Sequence, residues 1–600
     1  MFSWKQNHRG GEPARISAHR ADLNENQSAP SLVYKDEFPQ TGEEKRRYIP
    51  LGIITLALLV AALYFCCLGR SPLFDPDEGR HAEVAREALV TGNWVTPTLN
   101  FEPYHHKPMP FYWLVAAGLS GFRTAPEFGA RLPSALAAGA AVLGTAWWAS
   151  RFWGPLVGFW TGVILATASG FVAVGRAVLV DMSFTWWVTA SHLLLGWFAL
   201  SAGGAVRWYL PWICVGLAML LKGPAALLLL LGSALFYSAL AGQWAWLRQL
   251  KPLRGLVLAT AVASIWYLWA AVVAPEYVRE FLWLHNVERF VTGRPGHPQN
   301  FLYYLYVMPA VFLPWTLWWP LAARPVFQDL VQRKPASLFC AAWALCVVGF
   351  FTLSKGKLPT YVLPAFPPLA ALTAAGLVAF FRSEHFPGWA VRWVTGMHGT
   401  LAVAAAATLV LGWPILQLVH EPELAAAVAC VAAVASAVLA ASYWWCRGQC
   451  LPVARVAFVA VAFGAAQLTF YAMAAPLLSA RYSLHDAAQA LHQLAPDTAL
   501  FTYDAGINSL LFYSGRAVKK LETSEQAAGV LAREEPTVLL TKRAHLDEVL
   551  CATGKPVTMI WSGERDKLLL ANRASIVGDQ NGWKVLSGCA RSANKAAFAP

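Results

Sequence analysis

Three carboxylates, Asp75, Asp77 and Glu78, lie within four residues directly after the first long apolar run of the chain. Charged side chains at a membrane are energetically costly, so such a cluster indicates a binding or catalytic site. A solvated, acidic helix start is the structural alternative, because the helix macrodipole favours negative charge there. The following residues, 81–89, have amphipathic helical spacing and predict a helix that lies in the membrane interface.

Basic side chains form a second group of candidates in the polar segments. Fixed cations are what a bound anion needs when charge develops on it during a reaction. Each of them has a structural alternative, because Lys and Arg also anchor helix ends and bind anionic lipid headgroups. The candidates are Arg80, Lys107, Arg176, Arg289, Lys355 and Lys357.

Two histidines in polar segments, His106 and His285, are candidates to share a divalent metal with Glu102, since imidazole and carboxylate are common metal ligands. Histidines in polar loops are more often simply hydrogen-bonded. We therefore expect no obligatory cofactor and leave a divalent metal as an open alternative.

The composition places these residues on a membrane protein. Hydrophobic residues make up 57% of the chain and charged residues 14%, whereas soluble domains carry about 25% charged residues. The net charge of +13 is spread among apolar runs instead of forming one basic stripe, which argues against nucleic acid as a partner and favours membrane lipids. Apolar runs of spanning length occur near residues 51–68, 132–150, 155–175, 182–201, 209–221, 223–241, 255–274, 302–322, 336–353, 361–381, 395–419, 424–442 and 452–475.

The pattern predicts an all-α polytopic bundle of about thirteen transmembrane helices, with the short run 110–122 as a re-entrant or interfacial element. The positive-inside rule then fixes the orientation. In this topology the loops 70–109 and 275–301, Asp181 and the segment 354–361 all face the extracytoplasmic side. The candidate residues would therefore share one compartment.

Polar segments flank the predicted membrane domain, 51–475. Residues 1–50 are expected to form a disordered cytoplasmic tail. Residues 476–600 alternate between helix-like stretches at 486–494, 525–533 and 546–550 and strand-like stretches at 499–503 and 537–541. They predict a small extracytoplasmic α/β domain. Cys551 and Cys589 are the only cysteines in that region, and an oxidising compartment would favour a disulfide between them.

Several motifs in the apolar half occur in an order that resembles a known family. They are the acidic cluster after the first span, Asn93-Trp94-Val95-Thr96-Pro97, Lys107-Pro108, the segment from Arg176 to Asp181, and SKGKLPTYVLPAFPPLA at 354–370. This succession resembles the lipid A aminoarabinose transferases and the related protein O-mannosyltransferases, which are integral-membrane glycosyltransferases of the C-type fold. The resemblance covers residues 51–368, and the C-terminal region matches more loosely.

The resemblance implies roles for individual residues. Asp77 would be the catalytic carboxylate of the first loop, with Glu78 beside it, and Asp181 the second acidic residue of the site. Lys107 would help to hold the phosphate of the donor. The family often has Glu before the Lys-Pro pair, where this chain has His106, so the family's metal ligands do not transfer directly.

The function implied is transfer of a sugar, aminoarabinose or a similar one, from undecaprenyl phosphate to lipid A or another acceptor. The enzyme would be a monomer in the bacterial inner membrane, with its active site facing the periplasm. A protein O-mannosyltransferase is the alternative within enzymes. A non-enzymatic lipid or sugar transporter is the alternative outside them, although the charges lie in external loops and the sequence shows no internal repeat.

Overall fold

The computed structural model of the protein describes residues 42–201, 207–293, 297–383, 387–418, 422–446, 452–494, 497–563, 566–572 and 583–586. Helices dominate it up to residue 482. The first half contains α1 (Gly42–Phe65), α2 (Asp77–Thr91), α3 (Met109–Gly121), α4 (Pro126–Trp153), α5 (Pro155–Thr167), α6 (Ser169–Gly175), α7 (Val180–Leu200), α8 (Leu210–Lys222), α9 (Ala225–Ala241), α10 (Ala245–Gln249) and α11 (Pro252–Val273).

The helical part continues through the segment predicted as an external loop. It contains α12 (Pro275–Leu282), a π-helix (Trp283–Glu288), α13 (Arg289–Thr292), α14 (Tyr303–Val311), a 3-10 helix (Trp315–Trp318), α15 (Trp319–Val331), α16 (Pro335–Leu353), a 3-10 helix (Pro359–Ala365), α17 (Phe366–Phe381), α18 (Gly388–Leu418), α19 (Pro422–Cys446), α20 (Pro452–Thr469), a π-helix (Phe470–Ala474) and α21 (Ala475–Tyr482).

Many of these helices are long and apolar enough to cross a membrane. Seven in the described ranges qualify individually, and the number rises to nine if each of two bent pairs counts as one span. The bent pairs are α5 with α6, at 65°, and α14 with the helix ending at Val331, at 99°. The chain is a multi-pass membrane protein with a mainly helical fold.

Two predicted segments differ from the observed ones. Helix α1 begins at Gly42, within the tail predicted to be disordered, because residues 43–46 are Glu and basic residues with high helix propensity. Helix α2 forms as predicted, but protein covers it on more than one side. It packs between α3 and a helix of the C-terminal region, and most of its residues are buried, including Glu83 and Glu87.

A six-stranded mixed sheet occupies the C-terminal region, with strand order β4-β3-β5-β7-β6-β8. The three strands β4, β3 and β5 are parallel, and the remaining pairs are antiparallel. The strands are β3 (Ala499–Tyr503), β4 (Lys519–Leu521), β5 (Thr537–Lys542), β6 (Val557–Ser562), β7 (Lys567–Ala571) and β8 (Lys584–Leu586), and a two-stranded hairpin in the first loop comprises β1 (Thr98–Leu99) and β2 (Glu102–Pro103).

Four helices accompany the sheet: α22 (His485–Leu491), α23 (Asn508–Ser514), α24 (Ser524–Leu531) and α25 (Leu546–Thr553). The predicted strands and helices near 486–494, 499–503, 525–533, 537–541 and 546–550 each coincide with one of these elements. Cys551 is disulfide-bonded. Its predicted partner Cys589 lies outside the described residues, so that pairing stays a prediction.

Helix α23 packs directly against the first turns of α2, and a glycine makes the approach possible. A Cβ atom at Gly79 would lie 2.6 Å from the backbone nitrogen and 2.8 Å from the Cα of Ser509. Neither atom can move without shifting α23. A residue without a side chain is therefore required at this position of α2.

We predict that Gly79→Ala lowers the free energy of unfolding by about 1–3 kcal/mol, the usual cost of overpacking a tight contact. Thermal unfolding of the purified protein measures it. Gly529→Ala is the matched control, because Gly529 lies in α24 with nothing within 4 Å of an added Cβ. Equal midpoints for Gly79→Ala and the wild type would contradict the close packing of α23 on α2.

Candidate active site

Glu78 lies at the start of α2 and forms a buried ion pair with Arg131 of α4. Arg131 Nε lies 2.8 Å from Glu78 Oε1, and Arg131 Nη2 lies 2.7 Å from Oε2. The same carboxylate accepts the backbone N–H groups of Phe74 and Val178 at 2.9 and 3.0 Å. Burial alone would raise the pKa of Glu78, but Arg131 and the backbone donors lower it.

This geometry differs from the catalytic role expected for Glu78. Four donors occupy the acceptor positions of the two oxygens, so the carboxylate has no free lone pair for an incoming group. Arg131 also donates to the carbonyl oxygens of Leu68, Ser71 and Pro72 at 2.9, 2.7 and 3.0 Å. The ion pair therefore fixes the chain that leads from α1 into α2.

The other two carboxylates of the cluster have contrasting environments. Asp75 accepts hydrogen bonds from the backbone nitrogen and the hydroxyl of Ser509 at 2.8 and 2.6 Å. Burial raises the pKa of Asp75, although the bonds from Ser509 act in the opposite direction. Asp77 forms an ion pair with Arg80, and its side chain remains 53% exposed. Of the three, Asp77 is the carboxylate available to an incoming group.

Asp181 is buried at the start of α7 and holds a lysine in place. Its Oδ1 lies 2.6 Å from Lys222 Nζ and accepts a hydrogen bond from the Thr360 hydroxyl at 2.8 Å. The Lys222 ammonium also lies 4.5 Å from the ring centre of Tyr361. Asp181 thus connects the end of α8 with the segment that precedes α17.

A cavity of about 280 Å³ opens beside this group. Its polar lining combines Lys107, Lys222 and Arg289 with His106 and His285. No carboxylate contributes to the described lining, so the cavity carries excess positive charge. Its apolar lining residues include Phe184, Leu228, Phe281, Val287, Phe290, Val291, Phe350 and Phe351.

Two of the cations lack a counter-charge of their own. Within the described residues, no hydrogen-bond acceptor meets the ammonium of Lys107, and Nε of Arg289 is buried without a partner. Burial lowers the pKa of Lys107 to about 8, and the charges of Lys222 and Arg289 act in the same direction, while Asp181 opposes them. Such groups suit an anionic ligand that completes the charge balance.

The two candidate metal ligands lie together, with their rings tilted by 41° relative to each other. The ring centres of His106 and His285 are 4.6 Å apart, and Tyr104 stacks on His106 at 4.7 Å. Burial, together with neighbouring cations, lowers the pKa of both histidines, that of His285 to about 4. In the described ranges, no group of three or more His, Cys, Asp or Glu side chains could hold a metal ion.

The remaining basic candidates are placed differently. Arg176 is buried and donates to the carbonyl oxygens of Leu63 and Cys66 at 2.6 and 2.8 Å. Lys357 is buried and donates to the carbonyl of Ser354. Both are engaged by backbone acceptors and hold segments together. Lys355 is exposed, next to the cavity wall.

A second, larger cavity of about 980 Å³ borders the acidic cluster. Its lining includes Asp75 and Pro76, the last residues of α21, the start of α19 and Trp561 of the C-terminal sheet. The polar groups that line it include Glu423, Asp486, Asn508 and Lys567. The two cavities share no described lining residue.

Three residues of the site were not predicted from the sequence. Lys222 ends an apolar helix, where a basic residue is common. Only the Gly-Pro pair that follows it distinguishes this lysine from others at such positions. Arg131 directly precedes the predicted apolar run 132–150, and nothing in the local sequence indicates its partner Glu78. Tyr361 belongs to the motif at 354–370, but nothing in its spacing reveals the contact with Lys222.

Comparison with known proteins supports the relationship suggested by the motifs. Residues 51–279 match the family model for dolichyl-phosphate-mannose-protein mannosyltransferase. The chain is 32% identical to the undecaprenyl phosphate-alpha-4-amino-4-deoxy-L-arabinose arabinosyl transferase of Pseudomonas aeruginosa (strain UCBPP-PA14), over 61% of this chain and 67% of that protein. It is 30% identical to the protein of the same name from Aeromonas salmonicida, over 59% of this chain and 65% of that one.

The chain spans slightly less than two thirds of several such relatives, 66%, 64% and 60% for three proteins from Pseudomonas fluorescens. The fold is also similar to the crystal structure of ArnT from Cupriavidus metallidurans bound to undecaprenyl phosphate. The TM-score is 0.72 at 22% identity, with 89% of this chain and 99% of that one covered. The chain therefore belongs to the family of undecaprenyl phosphate-alpha-4-amino-4-deoxy-L-arabinose arabinosyl transferases.

Proposed function

We propose that the protein transfers a sugar, aminoarabinose or a similar one, from undecaprenyl phosphate to an extracytoplasmic acceptor, with lipid A as the first candidate. The observation that carries the proposal is the cavity with three cations and an apolar wall. A polyprenyl phosphate has both properties, an anionic phosphate and a hydrocarbon chain. The names of the family members, which specify this donor, support the same assignment.

The donor phosphate would be held by Lys107, Lys222 and Arg289. During transfer, the bond between the anomeric carbon and the phosphate oxygen breaks, and its electron pair leaves with the lipid phosphate. The departing phosphate gains negative charge, which the three cations stabilise in place. Asp181 supports this arrangement indirectly, because it fixes the ammonium of Lys222 at 2.6 Å.

Asp77 would act on the acceptor. If the acceptor group is a hydroxyl, Asp77 takes its proton as the oxygen bonds to the anomeric carbon. If it is a phosphate that is already ionised, Asp77 positions it and no proton moves. Arg80, paired with Asp77, would hold the carboxylate in position for either acceptor group. Glu78 has a structural role in this scheme.

The acceptor would enter through the second cavity, which borders the residues immediately before Asp77. Its carboxylates and Asn508 offer hydrogen-bond partners for sugar hydroxyls, and Trp561 offers an apolar face. With the donor cavity on one side and this cavity on the other, the two substrates would meet at the start of α2.

The proposed enzyme spans the bacterial inner membrane thirteen times, with its active site facing the periplasm. Each of the thirteen predicted runs coincides with a helix or a bent helix pair in the described residues, which supports the count. The C-terminal α/β domain would be periplasmic, and residues 1–41 would precede the first span on the cytoplasmic side. A metal is not required by this scheme.

A protein O-mannosyltransferase is the second candidate, because residues 51–279 match that family model. Mass spectrometry of lipid A from cells with and without the gene separates the two. Loss of an added pentose from lipid A in the deletion strain supports the proposal. Unchanged lipid A together with loss of hexoses from exported proteins would favour the mannosyltransferase.

We predict that Asp77→Asn lowers kcat by about 100-fold or more, the usual effect of losing an acid or base group. The amide preserves the shape but removes the charge. Sugar transfer by the purified protein in detergent measures it, with thermal unfolding in parallel. Asp547→Asn, in α25, is the control for an exposed carboxylate. Near-normal transfer by Asp77→Asn would contradict the assignment.

We predict that Lys107→Ala raises the donor KM by the equivalent of about 1.5–3 kcal/mol, the value of a hydrogen bond to a charged group. Because the pKa of Lys107 lies at about 8, kcat/KM of the wild type should fall as pH rises through this value and the ammonium loses its proton. Lys107→Arg, which stays charged, should keep its activity to higher pH.

Lys520→Arg, in β4, is the control for the pH profile. A flat wild-type profile between pH 7 and pH 9.5, or an identical alkaline limb in Lys107→Arg, would show that this ammonium does not bind the donor.

For the acceptor cavity we predict that Trp561→Ala raises the acceptor KM about 2- to 12-fold, as expected for loss of an aromatic contact of about 0.5–1.5 kcal/mol. The donor KM should not change, because Trp561 does not line the donor cavity. Trp244→Ala, at an exposed position distant in sequence, is the control. An unchanged acceptor KM would remove this cavity from the proposal.

A further inference from the structure

A buried serine of the C-terminal region contacts the first loop. Ser509 of α23 is fully buried, and its backbone nitrogen and hydroxyl both donate to the carboxylate of Asp75. The hydroxyl in turn accepts a hydrogen bond from the backbone nitrogen of Leu484 at 2.8 Å. Every polar atom of this contact is therefore satisfied within the protein.

Two further contacts hold the same loop on either side. The Tyr513 hydroxyl, also in α23, accepts the backbone N–H of Leu73 at 2.8 Å and donates to Glu127 at 3.0 Å. Asn100 exchanges two hydrogen bonds with the backbone of Val518, at 2.8 and 2.9 Å. The C-terminal region thus contacts the loop before, at and after the acidic cluster.

Asp77 lies two residues after Asp75, and its own side chain bonds only to Arg80 among the described residues. Its position therefore depends on the backbone around it. Two buried contacts fix that backbone from opposite sides, the ion pair of Glu78 with Arg131 and the bonds of Asp75 with Ser509. Gly79 allows α23 to approach closely enough for the second contact.

We propose that Ser509 is a positioning residue for the transfer reaction, and that the C-terminal region sets the orientation of Asp77 through the Asp75–Ser509 contact. The inference rests on the proposed role of Asp77. It assigns the C-terminal region a part in the chemical step, in addition to its contribution to the acceptor cavity. A displacement of a reacting group by about 1 Å can lower a rate about 100-fold.

The test is Ser509→Ala in the full-length protein, measured with saturating donor and acceptor. We expect kcat to fall at least about 10-fold, within the range for a misplaced reacting group, while the donor KM stays within about 2-fold. Hydrogen–deuterium exchange of the peptide covering 74–82 should accelerate, because a contact that holds this backbone is lost. Ser514→Ala on the same helix is the matched control, since its hydroxyl bonds only to neighbouring backbone, donating to Leu510 and accepting from Arg516.

A double-mutant cycle distinguishes positioning from general destabilisation. If Asp75→Ala and Ser509→Ala remove one shared contact, the double variant should lose no more kcat than the more impaired single variant. If the loss of kcat in the double variant equals the product of the two single losses, the inference is overturned. Should Ser509→Ala fail to fold, Asp75→Asn serves with the same two readouts, since it weakens the contact from the other side.

The outcomes also separate this inference from the proposed function. If Asp77→Asn abolishes transfer but Ser509→Ala has normal kcat and exchange, only the positioning role is wrong. If Asp77→Asn itself remains active, the proposed function fails, and an effect of Ser509→Ala cannot be ascribed to the orientation of Asp77.

Discussion

Positive charge that the protein does not neutralise is the constraint around which the site is organised. Lys107, Lys222 and Arg289 line one small cavity, and Asp181 is the single carboxylate in the described residues that pairs with any of them. Partly buried cations without counter-charges are unfavourable in the empty protein. The depressed pKa of Lys107 reflects that cost. A ligand with a phosphate group relieves it, which links the electrostatics of the cavity to the choice of donor.

The apolar wall of the cavity would favour a lipid-linked phosphate over a free one. Phenylalanine side chains from α12–α13 and α16 lie beside the cations, so a hydrocarbon chain can be buried where the phosphate is bound. The sugar would then point away from the membrane, towards Asp77. The position of that carboxylate is set by Arg131 on the membrane side and by Ser509 on the side of the C-terminal region.

Local sequence patterns predicted much of this fold. The apolar runs and the strand-like stretches at 499–503 and 537–541 were predicted from the local sequence, and the structure contains an element at each. Burial of α2 was not predictable in this way, because its covering helix α23 lies more than four hundred residues later. A pattern of one helix face cannot reveal a partner that tertiary folding brings from the far end of the chain.

For the candidate site, too, the local sequence indicated some features and could not indicate others. The family resemblance made Asp77 and Asp181 candidates. Residue type made Lys107 and Arg289 candidates, since charge in an external segment is informative by itself. It could not separate Asp77 from Glu78, because the difference between them is the presence of Arg131, a residue of another helix. Arg176 and Lys357 were grouped with the anion-binding cations for the same reason, and only their carbonyl partners distinguish them.

A binding comparison shows whether this cavity recognises the phosphate of a polyprenyl lipid. The affinities of undecaprenyl phosphate and of uncharged undecaprenol are measured by native mass spectrometry for the wild type and for Arg289→Gln. We expect the wild type to bind undecaprenyl phosphate at least about 10-fold more tightly than undecaprenol, equivalent to about 1.4 kcal/mol. In Arg289→Gln the affinities for the two lipids should be closer to each other. Equal affinity of the wild type for the two lipids would contradict recognition of the phosphate.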